Sequence, residues 1–596
     1  MGHPSFFQAH YGCESGRRNC RRLYFSALLI GVICILPQVA RAQESVTPEF
    51  YGLDSSSNLV NLADILGATT FYSNGVTGQN VTAWVVDAQL VGTNLYEAEH
   101  LTNIASIYRP SGVIRLPGEH ATWCAALLGG NTGSGYYLNT GIAYGAKLGS
   151  SALATATNSD GSFSINTDGS SSTNSLTSYI YAASHGDVLS TSIGDSTDSA
   201  GVGLLSGLLD SLAVSNPNTT MVAAAGNTGP SNGTVGGPAS GYNTISVGAL
   251  DNPTNYNVVA SFSSRGPQPT AWYDGTNTFY YSNGVSTRAG VDLIAPGTSI
   301  FMPTNMIVEG ANISASGYLI DGSSFATPLV AGGAALLDST AKSSAEFATV
   351  TNAATQSVVV KAVLMNSADK LSGWDNGQQI VQGIITTTQA LDFAMGAGRM
   401  NLNAAFTQYT TSADVTTANG VSSSGFTDSV ENTGWGYGTA LKGVSNNYQL
   451  ASQLFAGQEL AVTLAWMRSQ AWINATSDYV DLAQAELDLM VYQVLGSGSD
   501  QLVAESISPV STTQELYFTL QNTGTYLIQV GYSTNLFDLS GNYASQDYGI
   551  AWAVTGVPEP GTLLLLGLGA LFLMMHGMRN SLSGWLKSCE GDTKKG

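Results

Sequence analysis

Short apolar runs with β-branched residues alternate with small-residue apolar stretches through the first two-thirds of the chain. Residues 81–86 (Val-Thr-Ala-Trp-Val-Val) and 221–226 (Met-Val-Ala-Ala-Ala-Gly) predict buried strands of a parallel sheet. Residues 120–130 begin at His120, stay apolar through Leu128 and end in Gly-Gly, which predicts a helix with a glycine stop. Residues 322–337, Gly-Ser-Ser-Phe-Ala-Thr-Pro and then Leu, Val, Ala and Gly, predict a second and more deeply buried helix. Near Gln408 the pattern changes. Residues 460–466, 487–492, 515–520 and 524–530 read as strands separated by Gly, Asn, Ser and Asp. The expected fold class is α/β, a parallel sheet flanked by helices, followed by a β-sandwich or jelly-roll domain.

At 596 residues the chain exceeds one compact core. The expected divisions are 1–42 as a leader, 43–408 as the α/β domain, 409–555 as the β-domain, 556–579 as an apolar end segment and 580–596 as a tail. Two polar segments interrupt the α/β domain. Residues 155–177 are rich in Ser, Thr, Asn, Asp and Gly, and residues 268–290 carry Trp272, Tyr273, Phe279, Tyr280 and Tyr281. Both read as surface insertions, the second as a candidate wall of a binding cleft.

The ends of the chain specify export. Arg17, Arg18, Arg21 and Arg22 precede the apolar run 23–36, and Ala40-Arg41-Ala42 supplies a small-residue cleavage site, the layout of a secretory signal removed by signal peptidase. Of five cysteines, Cys13, Cys20 and Cys34 fall in or before that signal and Cys589 in the tail, so the exported body keeps Cys124 and no disulfide is expected. With 20 Lys and Arg against 41 Asp and Glu, the net charge of −21 disfavours nucleic-acid binding and leaves cationic partners or calcium compatible. Asp478, Asp481, Glu486 and Asp488 cluster without a metal-ligand spacing, so the metal-site residues stay unknown.

The candidate chemistry centres on Ser324. A serine at a helix N-terminus has backbone donors nearby, but it is a weak nucleophile unless a base takes its proton. Asp87 ends the strand 81–86, His120 opens the first helix and Asn227 follows the strand 221–226. Each alone fits a structural role as well: N-cap serine, turn aspartate, packed histidine, Gly-Asn turn. Their order Asp, His, Ser is that of one known triad arrangement.

With these residues the chain resembles the subtilisin-like serine peptidases. Further matches follow in the family's order at residues 141–148, 186–194, 237–239, 243–249, 260–267, 291–297, 361–368 and 396–401, so the resemblance covers roughly residues 68–408. It implies that Asp87, His120 and Ser324 form the catalytic triad and that Asn227 holds the oxyanion. It also implies that Ser192, Ile193 and Gly194, with Ala224, Ala225 and Gly226, bind a polypeptide substrate in a roomy apolar pocket. The implied activity is endopeptidase hydrolysis through an acyl-enzyme, with no cofactor needed for chemistry and calcium as a structural ion of relatives. The chain departs from the pattern at Ala88-Gln89, where relatives carry a hydroxyl residue and glycine, at Ser323 for Thr, and at Trp123 for a second histidine. Cys124 matches a thiol-bearing subgroup and should place its sulfur beneath the imidazole. The Ala88-Gln89 departure and the short stretch before Asp87, too short for the usual propeptide, keep an alternative open: a catalytically weak surface or matrix binding protein on the same fold.

Residues 557–562, Val-Pro-Glu-Pro-Gly-Thr, then the apolar run 563–575 and a basic end at Arg579, resemble the PEP-CTERM sorting signal. That implies recognition by an exosortase, transient membrane contact through a short hydrophobic helix, and a secreted, cell-surface or matrix location in a Gram-negative bacterium.

Overall fold

The apolar runs of the first domain pair into one sheet. In the computed structural model its strands are β1 (Thr82–Asp87), β2 (Ile104–Tyr108), β3 (Lys147–Ala152), β4 (Val188–Thr191), β5 (Thr220–Ala224), β6 (Ile245–Asp251), β7 (Val258–Val259) and β8 (Leu293–Pro296). Their order is β7-β6-β5-β4-β1-β3-β2, with β8 also paired to β6, and every pairing is parallel except β7 with β6. From β1 the chain builds outward first to one side and then to the other. The C-terminal ends of β1 and β4 therefore meet at a topological switch point, where open α/β sheets form their clefts. Most of residues 51–556 are described. Outside lie 93–100, 132–139, 282–287, 416–424, shorter loop pieces, residues 557–596, and most of the first fifty residues.

The helices are α1 (Glu119–Gly129), α2 (Thr177–His185), α3 (Leu204–Ser215), α4 (Ser323–Ser343), α5 (Ser357–Asn366) and α6 (Leu402–Thr411). α4 is buried from Ser323 to Ala341, which is why it is built of Ala, Gly, Val and Leu on all sides. A Cβ at its Gly332 would lie 2.6 Å from the Ile142 side chain, so only glycine allows that approach.

The later residues form a β-domain of two sheets. Its main strands are β9 (Thr433–Leu441), β10 (Ser445–Leu450), β11 (Glu459–Trp466), β12 (Ser469–Ile473), β13 (Asp478–Val494), β14 (Gln501–Ser506), β15 (Thr513–Thr519), β16 (Thr525–Asp538) and β17 (Ser545–Thr555). One sheet contains β14-β13-β16-β10 with β12 beside β13, and the other β9-β17-β11-β15. Leu460, Val462 and Leu464 of one sheet share a core with Leu487, Leu489 and Val491 of the other, the inward half of each alternation. Strand Ile384–Thr387 pairs with β14, so this domain recruits chain from before residue 408.

The two halves are packed together. α5 is buried along its whole length, between the α/β sheet and strands β11 and β17. α3, buried from Leu205 to Ala213, lies beneath β12 and β13. Both supposed surface insertions are corrected in part by this packing, since residues 156–157 and 276–280 are exposed while others of each segment are buried or docked. Residues 155–177 include Phe163 and Ile165, which are buried, and Asn174, whose amide donates to Ser477 Oγ at 2.8 Å. In 268–290, Trp272 stacks on Phe537 at 5.1 Å and the Tyr273 N–H donates to Asp481 Oδ2 at 2.7 Å. That hairpin docks on the β-domain through Trp272 and Tyr273, while Phe279 and Tyr280 stay exposed, and none of these aromatics lines the cleft beside Ser324.

The signal cleavage site and the sorting segment 557–579 with its tail lie outside the described residues. No helix among the described residues is long and apolar enough to cross a membrane.

Candidate active site

Three elements converge at the switch point. β1 delivers Asp87 at its C-terminal end, α1 delivers His120 in its first turn, and α4 delivers Ser324 as its second residue. Asp87 is 2% exposed, and its Oδ2 lies 2.8 Å from His120 Nδ1. Its Oδ1 accepts the N–H of Ala88 at 2.6 Å. Both carboxylate oxygens are thus engaged although residue 88 has no hydroxyl to offer, as a buried carboxylate requires. With Nδ1 held by the carboxylate, Nε2 is the nitrogen left to serve a nucleophile.

Ser324 sits where the helix geometry is deliberately interrupted. Pro328 has no N–H, so the carbonyl of Ser324, four residues earlier, loses its helical partner. Two side chains fill the gap: Ser192 Oγ donates to Ser324 O at 2.8 Å, and Cys124 Sγ approaches it at 3.4 Å. Ser324 Oγ in turn donates to Ser192 O at 3.2 Å. The Cys124 sulfur lies 3.8 Å from His120 Nδ1, beneath the ring as expected. Burial, and then the Asp87 charge, push its thiol pKa well above the ordinary range, so it is a neutral packing group.

Asn227 Oδ1 accepts the N–H of Ser323 at 2.8 Å. The other end of the amide, Nδ2, lies near Gly322, beside the helix N-terminus. Ser323 Oγ accepts the N–H of Gly226 at 3.2 Å, tying the strand end to the helix start. The substrate-binding residues expected from the sequence are brought together here. Ser192, Ile193, Gly194, Ala224, Ala225 and Gly226 line one open cleft with Asn227 and Ser324. Trp123, at the position of the family's second histidine, packs near Tyr318 and Phe325, away from the cleft.

The acidic residues 478–488 do not form a cation cage. Asp481 is engaged by Tyr273 N–H and Gln470, while Tyr273 OH donates to Asp478. Among the described residues, the group of three metal-ligand side chains that converge is Asp87, His120 and Cys124, which is the site itself. Two polar anchors were not flagged by sequence reading. Tyr479 and Arg468 hold the backs of the cleft segments from the β-domain, and the signal available was a solitary arginine between two apolar strands.

Fold and site define an α/β protein with a serine, histidine and carboxylate assembled at a sheet switch point. Residues 102–398 match the subtilase family and residues 556–579 the PEP-CTERM protein-sorting motif, so the chain carries a subtilase domain followed by that motif. It is similar to pyrolysin of Pyrococcus furiosus, 34% identical over 27% of this chain and 12% of pyrolysin. It is also similar to the serine protease AprX of Bacillus subtilis, 33% identical over 19% of this chain and 24% of AprX. The alignments thus span a quarter or less of these relatives. Among solved structures, MycP1 from the ESX-1 type VII secretion system matches 62% of this chain and 91% of its own, with 17% identity and a TM-score of 0.36.

Proposed function

We propose that the chain is an exported serine endopeptidase that hydrolyses polypeptides through Asp87, His120 and Ser324. The observation that carries this reading is the Asp87–His120 bond beside a serine at the N-terminus of a buried helix, with Asn227 lining the same cleft as that serine. On substrate binding, Ser324 Oγ turns from Ser192 O to His120 Nε2, gives up its proton there and bonds to the substrate carbonyl carbon. The oxygen that gains charge is held by Asn227 Nδ2 and the Ser324 N–H. His120 then passes the proton to the departing amine, leaving an acyl-enzyme. Water, deprotonated by the same nitrogen, releases the acid and restores Ser324. Asp87 stays ionised throughout and stabilises the imidazolium.

The small residues 224–226 suit a bulky apolar side chain on the acyl side of the scissile bond. This chemistry needs no cofactor, and a calcium ion would act on stability alone. Signal peptidase and an exosortase are the processing partners this reading assigns to the two ends, with a cell-surface or extracellular destination. A non-hydrolytic surface role is disfavoured by the Asp87–His120 bond, which is kept although residue 88 carries no hydroxyl. Digestion of an unfolded protein such as reduced casein tests the activity. Cleavage lost in both Ser324→Ala and His120→Ala is expected, and cleavage that survives either change contradicts the assignment.

A further inference from the structure

One wall of the cleft is lined by residues 192–196 and Gly236, the ends nearest the site of two longer segments, 192–203 after β4 and 236–243 before β6. They are tied to each other. Asp195 and Gly237 exchange backbone hydrogen bonds of 2.6 and 3.0 Å, and Ser240 Oγ donates to Asp198 O at 2.5 Å. Segment 195–206 is folded around Asp198, whose Oδ1 accepts the Val202 N–H at 3.0 Å and whose Oδ2 accepts the Ser206 hydroxyl at 2.7 Å.

Each segment is then anchored in the β-domain. Tyr479 of β13 donates its hydroxyl to Val202 O at 2.7 Å. Its ring lies so close to Gly207 that a Cβ there would stand 2.2 Å from it. On the other segment, the Arg468 guanidinium lies 3.1 Å from the centre of the Tyr242 ring. The Arg468 backbone exchanges bonds of 2.8 and 2.9 Å with the Asn243 amide, and Thr512 Oγ1 donates to Tyr242 O at 2.8 Å. The triad, by contrast, hangs on β1, α1 and α4 in the centre of the α/β half.

We propose that the β-domain is part of the recognition apparatus: Tyr479, Arg468 and Thr512 are positioning residues that set the width of the cleft for the side chain on the acyl side of the scissile bond. The proposal rests on the peptidase reading for the identity of the ligand. Its physical content is that the wall's register depends on bonds from outside the α/β half, so loosening one of them shifts the wall while the nucleophile stays in place.

The test uses the full chain carrying Ser324→Ala, so that binding is read without hydrolysis, and dye-labelled N-acyl tetrapeptides ending in Phe or in Gly, followed by anisotropy. Adding Tyr479→Phe keeps the ring and removes one bond. The expected result is a weakening of about 3–10-fold for the Phe peptide, in keeping with one lost hydrogen bond, with less than about twofold for the Gly peptide. Thr512→Val should do the same through the second segment. Equal losses for both peptides, or none in either variant, overturn the proposal, because a purely structural anchor would not distinguish the final side chain. Fluorophosphonate labelling of the unmodified chain, run alongside, reads the hydrolase assignment separately. Selective binding without labelling keeps the proposal and removes that assignment, whereas labelling without selectivity does the reverse.

Discussion

The two regions where this molecule buries charge differ in what surrounds it. At the switch point, Asp87 is buried yet engaged on both oxygens, by His120 and by the Ala88 amide, and its neighbours open onto a cleft. In the seam between the halves, Asp210 accepts the Tyr242 and Asn243 amides and Glu515 pairs with Lys370. Burial raises both of these carboxyls to about 7. A strongly shifted acid is often taken as the mark of a reactive centre. Here these two shifted carboxyls mark a packed domain seam, and the chemistry is marked by orientation: a carboxylate, a ring nitrogen and a hydroxyl on three converging elements.

The contrast breaks most severely if the seam is removed. A chain ending at residue 411 would expose α5 and much of α3, which are apolar because β11–β13 and β17 cover them. We expect that fragment to aggregate, checked by size-exclusion chromatography; a soluble, active fragment would make the β-domain a detachable accessory. Next in size is the catalytic side. Ser324→Ala should lower peptide cleavage by at least about four orders of magnitude with an unchanged Tm. Asn227→Ala should cost about 10²–10³ in kcat, measured on a fluorogenic peptide. Arg468→Met should act on the fold as well, lowering stability by roughly 3–5 kcal/mol because it leaves Asp481 buried 3.8 Å from a lost cation, as read by denaturant unfolding.

The pH dependence sharpens the comparison further. Asp210 and Glu515 have folded pKa values raised above their unfolded ones, so the folded state favours their protonated form. Their contribution is full below about 4 and is lost as the pH rises through about 7. Tm should therefore be higher near pH 5 than near pH 8, and Glu515→Gln should flatten that slope. Smaller still is Asp338, buried in α4 with neither oxygen hydrogen-bonded and its pKa pushed well up by desolvation. Asp338→Asn should raise Tm at pH 8 by about 2–4 °C and leave it unchanged near pH 4, where the wild-type group is already neutral.

The sequence made the chemistry easier to read than the architecture around it. Asp87, His120, Asn227 and Ser324 stand at ends of strongly apolar runs, and such ends are where a parallel sheet must open, so their convergence was legible. Pro328 was also visible, but its effect on the Ser324 carbonyl emerges only once Ser192 and Cys124 are seen to fill it. The roles of 155–177 and 268–290 were not legible. Polar composition and exposed-looking aromatics are the same in a surface loop and in a hairpin that docks on a second domain, and the partner, Phe537, lies far away in sequence. The strand at Ile384–Thr387 was missed for a similar reason, because its pairing partner β14 lies more than a hundred residues on.

The most direct measurement of the central claim is reaction of the mature protein with a fluorophosphonate probe at neutral pH, with the modified residue mapped by peptide mass spectrometry. The account predicts a single adduct on Ser324 that disappears in His120→Ala. A folded protein that takes no label, or takes it at another residue, would contradict it.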